Sequence, residues 1–295
     1  MIGKRTFSEQ IVFAFIILFM IALMIVTVYP LLYAVFASFS NPADLMMTRG
    51  AILKPVGDVT LAAYQAVMDN PMILVGYRNT LFYVLVGTGL NLVMTVLGAY
   101  ALSRKNMMFK NWIMLGIVFT MFFGGGLIPR YLLVSQALNL QDNPLALILP
   151  GAVGTMNLII LRTAFETVPV ALEEAARMDG ANDLQILWSV IIPTSLPALA
   201  VITLFYAVAH WNAWFDAMLF LRNREWYPLQ LILREILISN STATMTSGAS
   251  ASDVMPLGET IKYATIIVAT LPILCIYPFV QRYFVKGVMI GAIKE

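Results

Sequence analysis

The residues best placed to do chemistry in this chain form a short acidic stretch, and their chemistry is that of docking. Residues 162–192 run RTAFETVPVALEEAARMDGANDLQILWSVII. VALEEAARMD reads as a helix: Thr167 is able to cap it, Pro169 fits its first turn, and Glu173 and Glu174 come early, where the positive end of the helix dipole favours carboxylates. Gly180 stops it. Asn182 or Asp183 caps a second short helix, DLQILWSV, and Pro193 and Pro197 open the next apolar stretch. Ala175 and Ala176 are small enough for another surface to approach the backbone. Glu174 offers a carboxylate to a partner's arginine, a pair suited to bidentate hydrogen bonding. Leu172 and Met178 supply apolar contact. Two short helices joined at a glycine and held between long apolar segments make a hook that passes force to something outside a membrane; the plainer alternative is a solvated amphipathic turn.

A second constellation is AVAHWNAWFDAM at 207–218. Read as one helix, it puts Asn212 and Asp216 on a common face, and His210 with Trp214 on another. Sugars bind through aromatic faces and hydrogen-bonding side chains, so Trp211 and Asn212, with Trp214 and Asp216, are candidates for a substrate pathway. Aromatics near a span end also form an interfacial belt, and asparagine also bonds helices together. His210 suits either a packed, hydrogen-bonded place or a proton-carrying one. Asn79, Asn91 and Asn157 are weaker candidates of the same kind.

Several chemistries are excluded. None of the seven lysines stands in a Gly-x-x-x-x-Gly-Lys-Ser/Thr setting, so the chain does not cradle ATP in the P-loop manner. Gly124-Gly125-Gly126 is followed by Leu127-Ile128-Pro129, and marks either a helix end or close packing. One histidine and one cysteine, Cys275, build neither a metal site nor a disulfide. No nucleophile and base stand together at membrane depth, as an intramembrane enzyme requires. An ion-coupled secondary carrier, the alternative transport class, needs mid-span carboxylates; Asp216, near a span end, is the one candidate.

These residues sit on elements that belong in lipid. Of 295 residues 60% are hydrophobic and 12% charged, with a mean hydropathy of +0.83, whereas soluble domains are about 45–50% apolar and about 25% charged. The net charge of +2 gives no nucleic-acid footprint. Uncharged windows long enough to cross a bilayer, about 17–25 residues, run over 10–43, 79–103, 111–129, 143–161, 184–215 and 263–281. A further window, 236–252, is Ser/Thr/Gly-rich and reads as a loop. Residues 11–26 do not alternate as a transmembrane strand does. The expected fold is therefore all-α with six transmembrane helices, the first too long for a cleaved signal. Residues 1–40 hold a tail and the first helix. Residues 41–76 form an extracytoplasmic loop with an amphipathic stretch at 61–68. Residues 77–282 form a five-helix core containing the inner loop 162–192, and 283–295 form a tail. The segment from 222 begins with a plausible short helix, RNREWYPLQLILREIL. With both termini cytoplasmic, ten basic residues lie inside and eight outside. The tight turn 103–111, with Arg104, Lys105 and Lys110, faces 130–142 with Arg130 alone, which favours that orientation.

The spacing of the hook resembles the EAA motif of permease subunits of binding-protein-dependent ABC importers: Glu-Ala-Ala, three residues, Gly, nine residues, then Ile-x-Leu-Pro. Here stand Glu174-Ala175-Ala176, Gly180, and then Val190, Ile192 and Pro193, with Val190 and Ile192 in place of Ile and Leu. Pro169, the Asp179-Gly180-Ala181 triplet, Trp211-Asn212, and the tail from Phe284-Val285-Lys286-Gly287 to Gly291-Ala292-Ile293-Lys294 are similar to the carbohydrate-uptake branch. The last 37 residues, ETIKYATIIVATLPILCIYPFVQRYFVKGVMIGAIKE, look like the Gram-positive-type permeases assigned to oligosaccharides of complex polysaccharides. The resemblance covers nearly the whole chain. It implies a type I ABC importer permease fold in the plasma or inner membrane and a transport role without catalysis. Glu173, Glu174, Ala175, Ala176, Met178, Asp179 and Gly180 would be the ATPase-coupling residues, with Glu174 on an arginine of the ATPase, and the tail after Phe284 would also touch the ATPase dimer. ATP and magnesium would be bound by that separate ATPase, with no cofactor in this chain. The implied partners are a second permease subunit, usually a different chain, two cytoplasmic ATPase subunits and an extracytoplasmic solute-binding protein.

Overall fold

The computed structural model describes residues 7–239, 258–276 and 278, and among them the chain is helical with no strand. The tail motif after Phe284 and most of the Ser/Thr/Gly-rich window lie outside the described residues. The chain divides into two compact units, with boundaries at Asn70/Pro71, Arg234/Glu235 and Leu271/Pro272.

The first unit opens with α1 (Phe7–Ser38), α2 (Pro42–Met47) and α3 (Ala62–Met68). α1 is apolar all round: its most apolar window has a mean hydropathy of 3.2 and none of it is buried in protein. A helix of that kind is solvated by lipid. Only its last turns are covered, through Ala34, Ala37 and Ser38. There Ala37, Leu45 and Ile52 form a small core. α2 is capped by the Asn41 side chain, which accepts from the Ala43 N–H at 3.0 Å. α3 falls on the amphipathic stretch expected at 61–68 and buries Ala63 and Val67.

The second unit begins with α4 (Pro71–Phe82), which passes through a π-helical turn at Tyr83–Gly87 into α5 (Thr88–Ser103). α6 (Lys110–Phe122) and α7 (Leu127–Leu132) follow, then 3-10 turns at Pro144–Leu147 and Leu149–Gly151 and α8 (Thr155–Glu166). Next come α9 (Val170–Met178), α10 (Asp183–Ile186), a π-helical turn at Leu187–Ile191, α11 (Ile192–Thr194), α12 (Leu196–Trp211) and α13 (Phe215–Phe220). α14 (Leu229–Ser239) begins in this unit and crosses the boundary at 234/235. The helix expected from residue 222 thus starts later, after a 3-10 turn at Arg224–Trp226. The main core lies between α5, α8 and α12, where Val96, Ala99 and Leu102 meet Leu158, Leu161, Phe165 and Ile202, and Ile186, Leu187 and Ile191 close one end. A second core gathers Tyr83, Val134, Ala146, Ile148, Ala217, Phe220 and Leu231.

The last described helix, α15, spans Gly258–Ile276. Its Tyr263 meets Tyr33 edge to face at 5.6 Å within the first unit.

Among the described residues, three helices are by themselves long and apolar enough to cross a membrane: Phe7–Ser38, Pro71–Ser103 and Gly258–Ile276. Three further segments are bent pairs, Lys110–Phe122 with Leu127–Ala137 (111°), Pro144–Gly151 with Thr155–Glu166 (46°) and Asp183–Thr194 with Leu196–Trp211 (87°), which bring the count to six if each pair is one span. Every expected window falls on one of these. The glycine run at 124–126 sits in the sharpest bend, where it separates two helices, and within the chain no neighbour lies within 4 Å of a Cβ added at Gly124 or Gly126.

Candidate functional site

The hook at 167–182 is held by local devices. At the end of α9 the Gly180 N–H donates to the Arg177 carbonyl and the Ala181 N–H to the Ala176 carbonyl, both at 3.0 Å, with Gly180 at φ +83°. This is the Schellman arrangement, and its left-handed residue is the place for glycine. At the start of α10 the Asn182 side chain accepts from the Gln185 N–H at 2.9 Å, while Gln185 Oε1 accepts from the Asn182 N–H at 2.8 Å, a complete capping box. Arg177, in the last turn of α9, pairs with Asp183 at 2.5 Å, in the first turn of α10; both charges also suit the helix dipoles. The expected cap at Thr167 is different. Its hydroxyl donates back to the Ala164 carbonyl at 2.7 Å, so it closes α8, and Pro169 stands at the N-cap of α9. A proline there disfavours helical backbone at the residue before it, which forces the break between the two helices.

α9 has two faces. Ala176 packs against the main core and Glu173 turns inward onto Arg104, with side-chain exposures of 14% and 19% for Glu173 and Arg104. The Arg104 guanidinium also lies 4.7 Å from the centre of the Tyr100 ring and donates to Ser103 Oγ at 2.8 Å. Glu174, Ala175, Asp179 and Gly180 are exposed, as are Leu172 and Met178, the latter 88% so. The coupling candidates thus separate: Glu173 and Ala176 anchor the helix, and Glu174, Ala175, Met178, Asp179 and Gly180 face outward. Beside them Glu166 accepts from Lys110 at 2.7 Å and Arg162 at 2.8 Å, and Arg162 Nε donates to the Leu102 carbonyl at 3.2 Å.

The second constellation is not one helix. α12 ends at Trp211 and Asn212 is its C-cap, with the Asn212 amide donating back to the Val208 carbonyl at 2.9 Å. Such local side-chain bonding competes with helix propagation. α13 starts afresh at Phe215, so Asn212 and Asp216 do not share a helix face. Trp211 is buried, with its ring edge-on to Tyr77 at 6.5 Å, and its indole N–H has no hydrogen-bond partner among the described residues. Trp214 lies under the Arg234 guanidinium, 3.7 Å from the ring centre. Asp216 pairs with Arg130 at 2.7 Å. His210 is packed and bonded, its Nε2 2.7 Å from Asn91 Oδ1, while Asn91 Nδ2 donates to the Gly151 carbonyl at 2.6 Å. Asn79 is buried and donates to the carbonyls of Glu225 at 2.6 Å and Tyr227 at 3.0 Å. Asn157 is half-buried.

Three arginines take places that the sequence did not mark. Arg104 and Arg130 entered only as topological charges, and Arg234 not as a site residue at all. The Tyr100-x-x-x-Arg104 spacing at the end of α5 is the one local signal among them, since residues four apart on a helix share a face.

This arrangement has close relatives. Residues 95–290, well over half the chain, match the family described as binding-protein-dependent transport system inner membrane component. The polygalacturonan/rhamnogalacturonan transport system permease protein YtcP of Bacillus subtilis (strain 168) is 37% identical over 291 residues, 99% of each chain. Protein LplC of the same organism is 38% identical over 278 residues, covering 94% of this chain and 93% of LplC. Among solved structures, a chain of a bacterial ABC transporter involved in the import of the acidic polysaccharide alginate superposes with a TM-score of 0.85 at 34% identity, over 96% of this chain and 99% of that one. The chain, with its hook and apolar bent helices, belongs to the family of binding-protein-dependent transport system inner membrane components.

Proposed function

We propose that this chain is the membrane-spanning subunit of an ATP-driven importer of acidic oligosaccharides, and that it docks on a separate ATPase through the outward face of α9. It forms half of the translocation path, with a second permease subunit, two ATPase subunits and a solute-binding protein as partners, and with both termini in the cytoplasm. The observation that carries the docking role is the exposed tip of the hook. Glu174 is free of ion pairs among the described residues and flanked by exposed Ala175 and Met178, while Glu173 one position earlier is already taken by Arg104. A partner arginine between the alanine backbone and Glu174 completes a charge-assisted pair. ATP closure outside the membrane then biases a two-state equilibrium of the helices. Acidic cargo is supported by the relatives named for polygalacturonan/rhamnogalacturonan and for the acidic polysaccharide alginate. On this chain, Arg234 lies over the Trp214 ring, a cation on an aromatic face that suits a sugar carboxylate, while Arg130 is paired with Asp216.

Glu174→Lys tests the docking role: co-purification with the ATPase and substrate-stimulated ATP hydrolysis are expected to fall together. A variant that keeps both at wild-type level ends the assignment. For cargo, the reconstituted complex with its binding protein is expected to hydrolyse ATP faster with oligogalacturonate than with a neutral glucose oligomer of equal length. Equal stimulation by the two excludes acidic selectivity.

A further inference from the structure

We propose that Arg104 is a positioning residue that latches the coupling helix to the membrane core, so that movement of α9 is delivered to α5. This rests on the reading of α9 as the ATPase-docking helix. Neither covalent link of α9 runs to α5: residues 167–169 are non-helical and lead back to α8, and the turn at 179–182 ties α9 to α10. Its apolar contact with the core runs through Ala176, whose small side chain resists sliding little. The Arg104–Glu173 pair is different in kind. Arg104 immediately follows α5, and it is held there from its own side by the Tyr100 ring and by Ser103 Oγ. Its guanidinium is thus fixed to the end of α5 before it reaches Glu173. Both side chains are mostly covered, so salt screens the pair less than an exposed one. A cavity of about 1070 Å³ opens beside it, lined by Tyr100, Arg104, Lys110, Glu166, Glu173 and Glu174. On that side the Arg104–Glu173 ion pair is a direct side-chain link between α9 and the end of α5. Pulling α9 outward therefore loads Arg104, and through it α5. Farther along, α5 carries Asn91, bonded to His210 near the end of α12.

The test uses the complete transporter, reconstituted with its partner permease, ATPase and binding protein. In Arg104→Gln the ATPase is expected to co-purify at the wild-type ratio, while cargo moved per ATP hydrolysed falls about tenfold, within the range of coupling between contacting charges. Glu173→Gln, which keeps the side-chain shape and removes the charge, is expected to give the same loss. The exchanged pair R104E/E173R is expected to recover more transport per ATP than the two single exchanges predict if they act independently. Unchanged transport per ATP in both neutral variants overturns the latch, and so does strict independence of the exchanged pair. Loss of ATPase co-purification in Arg104→Gln also overturns it, by making Arg104 an assembly residue. Where Arg104→Gln does not accumulate, Glu173→Gln and the exchanged pair decide. Failure of the docking role itself is read separately, by a Glu174→Lys transporter that still assembles.

Discussion

Gly180 offers a clean test of the hook, because its conformation and its surroundings separate. Its φ is +83°, and a Cβ built there meets nothing within 4 Å. Within the chain, a substitution at this position therefore meets no steric wall, and its cost there is backbone. For a residue with a Cβ the left-handed region costs about 1–2 kcal/mol, and asparagine tolerates it better than alanine or valine. Before docking, a substituted hook relieves the strain by fraying its last turn, and the hydrogen bonds from Gly180 to Arg177 and from Ala181 to Ala176 are lost. On docking, the turn must re-form and the strain returns, so affinity for the ATPase weakens by up to the same amount, about 5- to 30-fold. The assay is titration of the ATPase onto the detergent-solubilised permease complex carrying Gly180→Ala, Gly180→Val or Gly180→Asn. The expected order of affinity is Gly, then Asn, then Ala, with Val weakest because branching adds to the strain. Equal affinity for Gly, Ala and Val refutes the claim that the Schellman turn shapes the docking surface. An Asn variant as weak as Val refutes the backbone explanation and assigns the loss to a side-chain clash with the docked ATPase.

Other consequences follow from single contacts. A Cβ at Gly87 lies 2.5 Å from Nε2 of His210, so Gly87→Ala is expected to cost about 1–3 kcal/mol by overpacking. Gly89→Ala, with nothing within 4 Å, is expected to raise stability by about 1 kcal/mol through helix propensity; thermal unfolding that ranks the two the other way removes the packing role of Gly87. The Asp142 carboxylate accepts the backbone N–H groups of Asn223 at 2.8 Å and Arg222 at 2.9 Å, and these bonds hold its pKa below the ordinary carboxylate value. Its stabilisation is therefore complete above the unfolded pKa, about 4, and is lost as pH falls through the folded value. In unfolding measured against pH, the gap between the wild type and Asp142→Asn is expected to close on acidification, and a constant gap refutes the assignment. Trp211→Phe keeps an aromatic ring against Tyr77 and removes an indole N–H that has no partner among the described residues. Lower cargo uptake at an unchanged unfolding midpoint makes that N–H a pathway group, and unchanged uptake makes Trp211 a packing residue.

The spans were legible in the sequence because hydropathy is additive, and an uncharged window stays uncharged whether its helix is straight or bent. The bends were not legible for the same reason. The 87° break between Thr194 and Leu196 lies inside one continuous apolar window. The break after Trp211 turns on one side-chain amide, that of Asn212, finding the carbonyl four residues back. A period of 100° per residue carried across that break put Asn212 and Asp216 together where the chain separates them. The hook was more legible because its devices are local: Gly180, Asn182 with Gln185, and Arg177 with Asp183 all act within six residues. Thr167 is the exception. A threonine two residues before a proline closes one helix as readily as it opens another, and the local pattern does not choose.

The partners across the chain were hidden because the sequence gives charge without direction. Arg104, Lys110, Arg162 and Arg177 entered as votes for a cytoplasmic side. In the structure each meets a carboxylate of the hook region: Glu173 for Arg104, Glu166 for both Lys110 and Arg162, and Asp183 for Arg177. The cations expected on the cytoplasmic side thus also tie down the hook, and mutations designed to shift topology are expected to loosen α9 as well. The same pairing sorts the acids by use. Glu166, Glu173 and Asp183 are consumed within the chain, whereas Glu174 and Asp179 have no ion-pair partner among the described residues and are exposed on α9 and at its end. Exposed carboxylates left unpaired within the chain fit the proposed docking on a cationic partner surface.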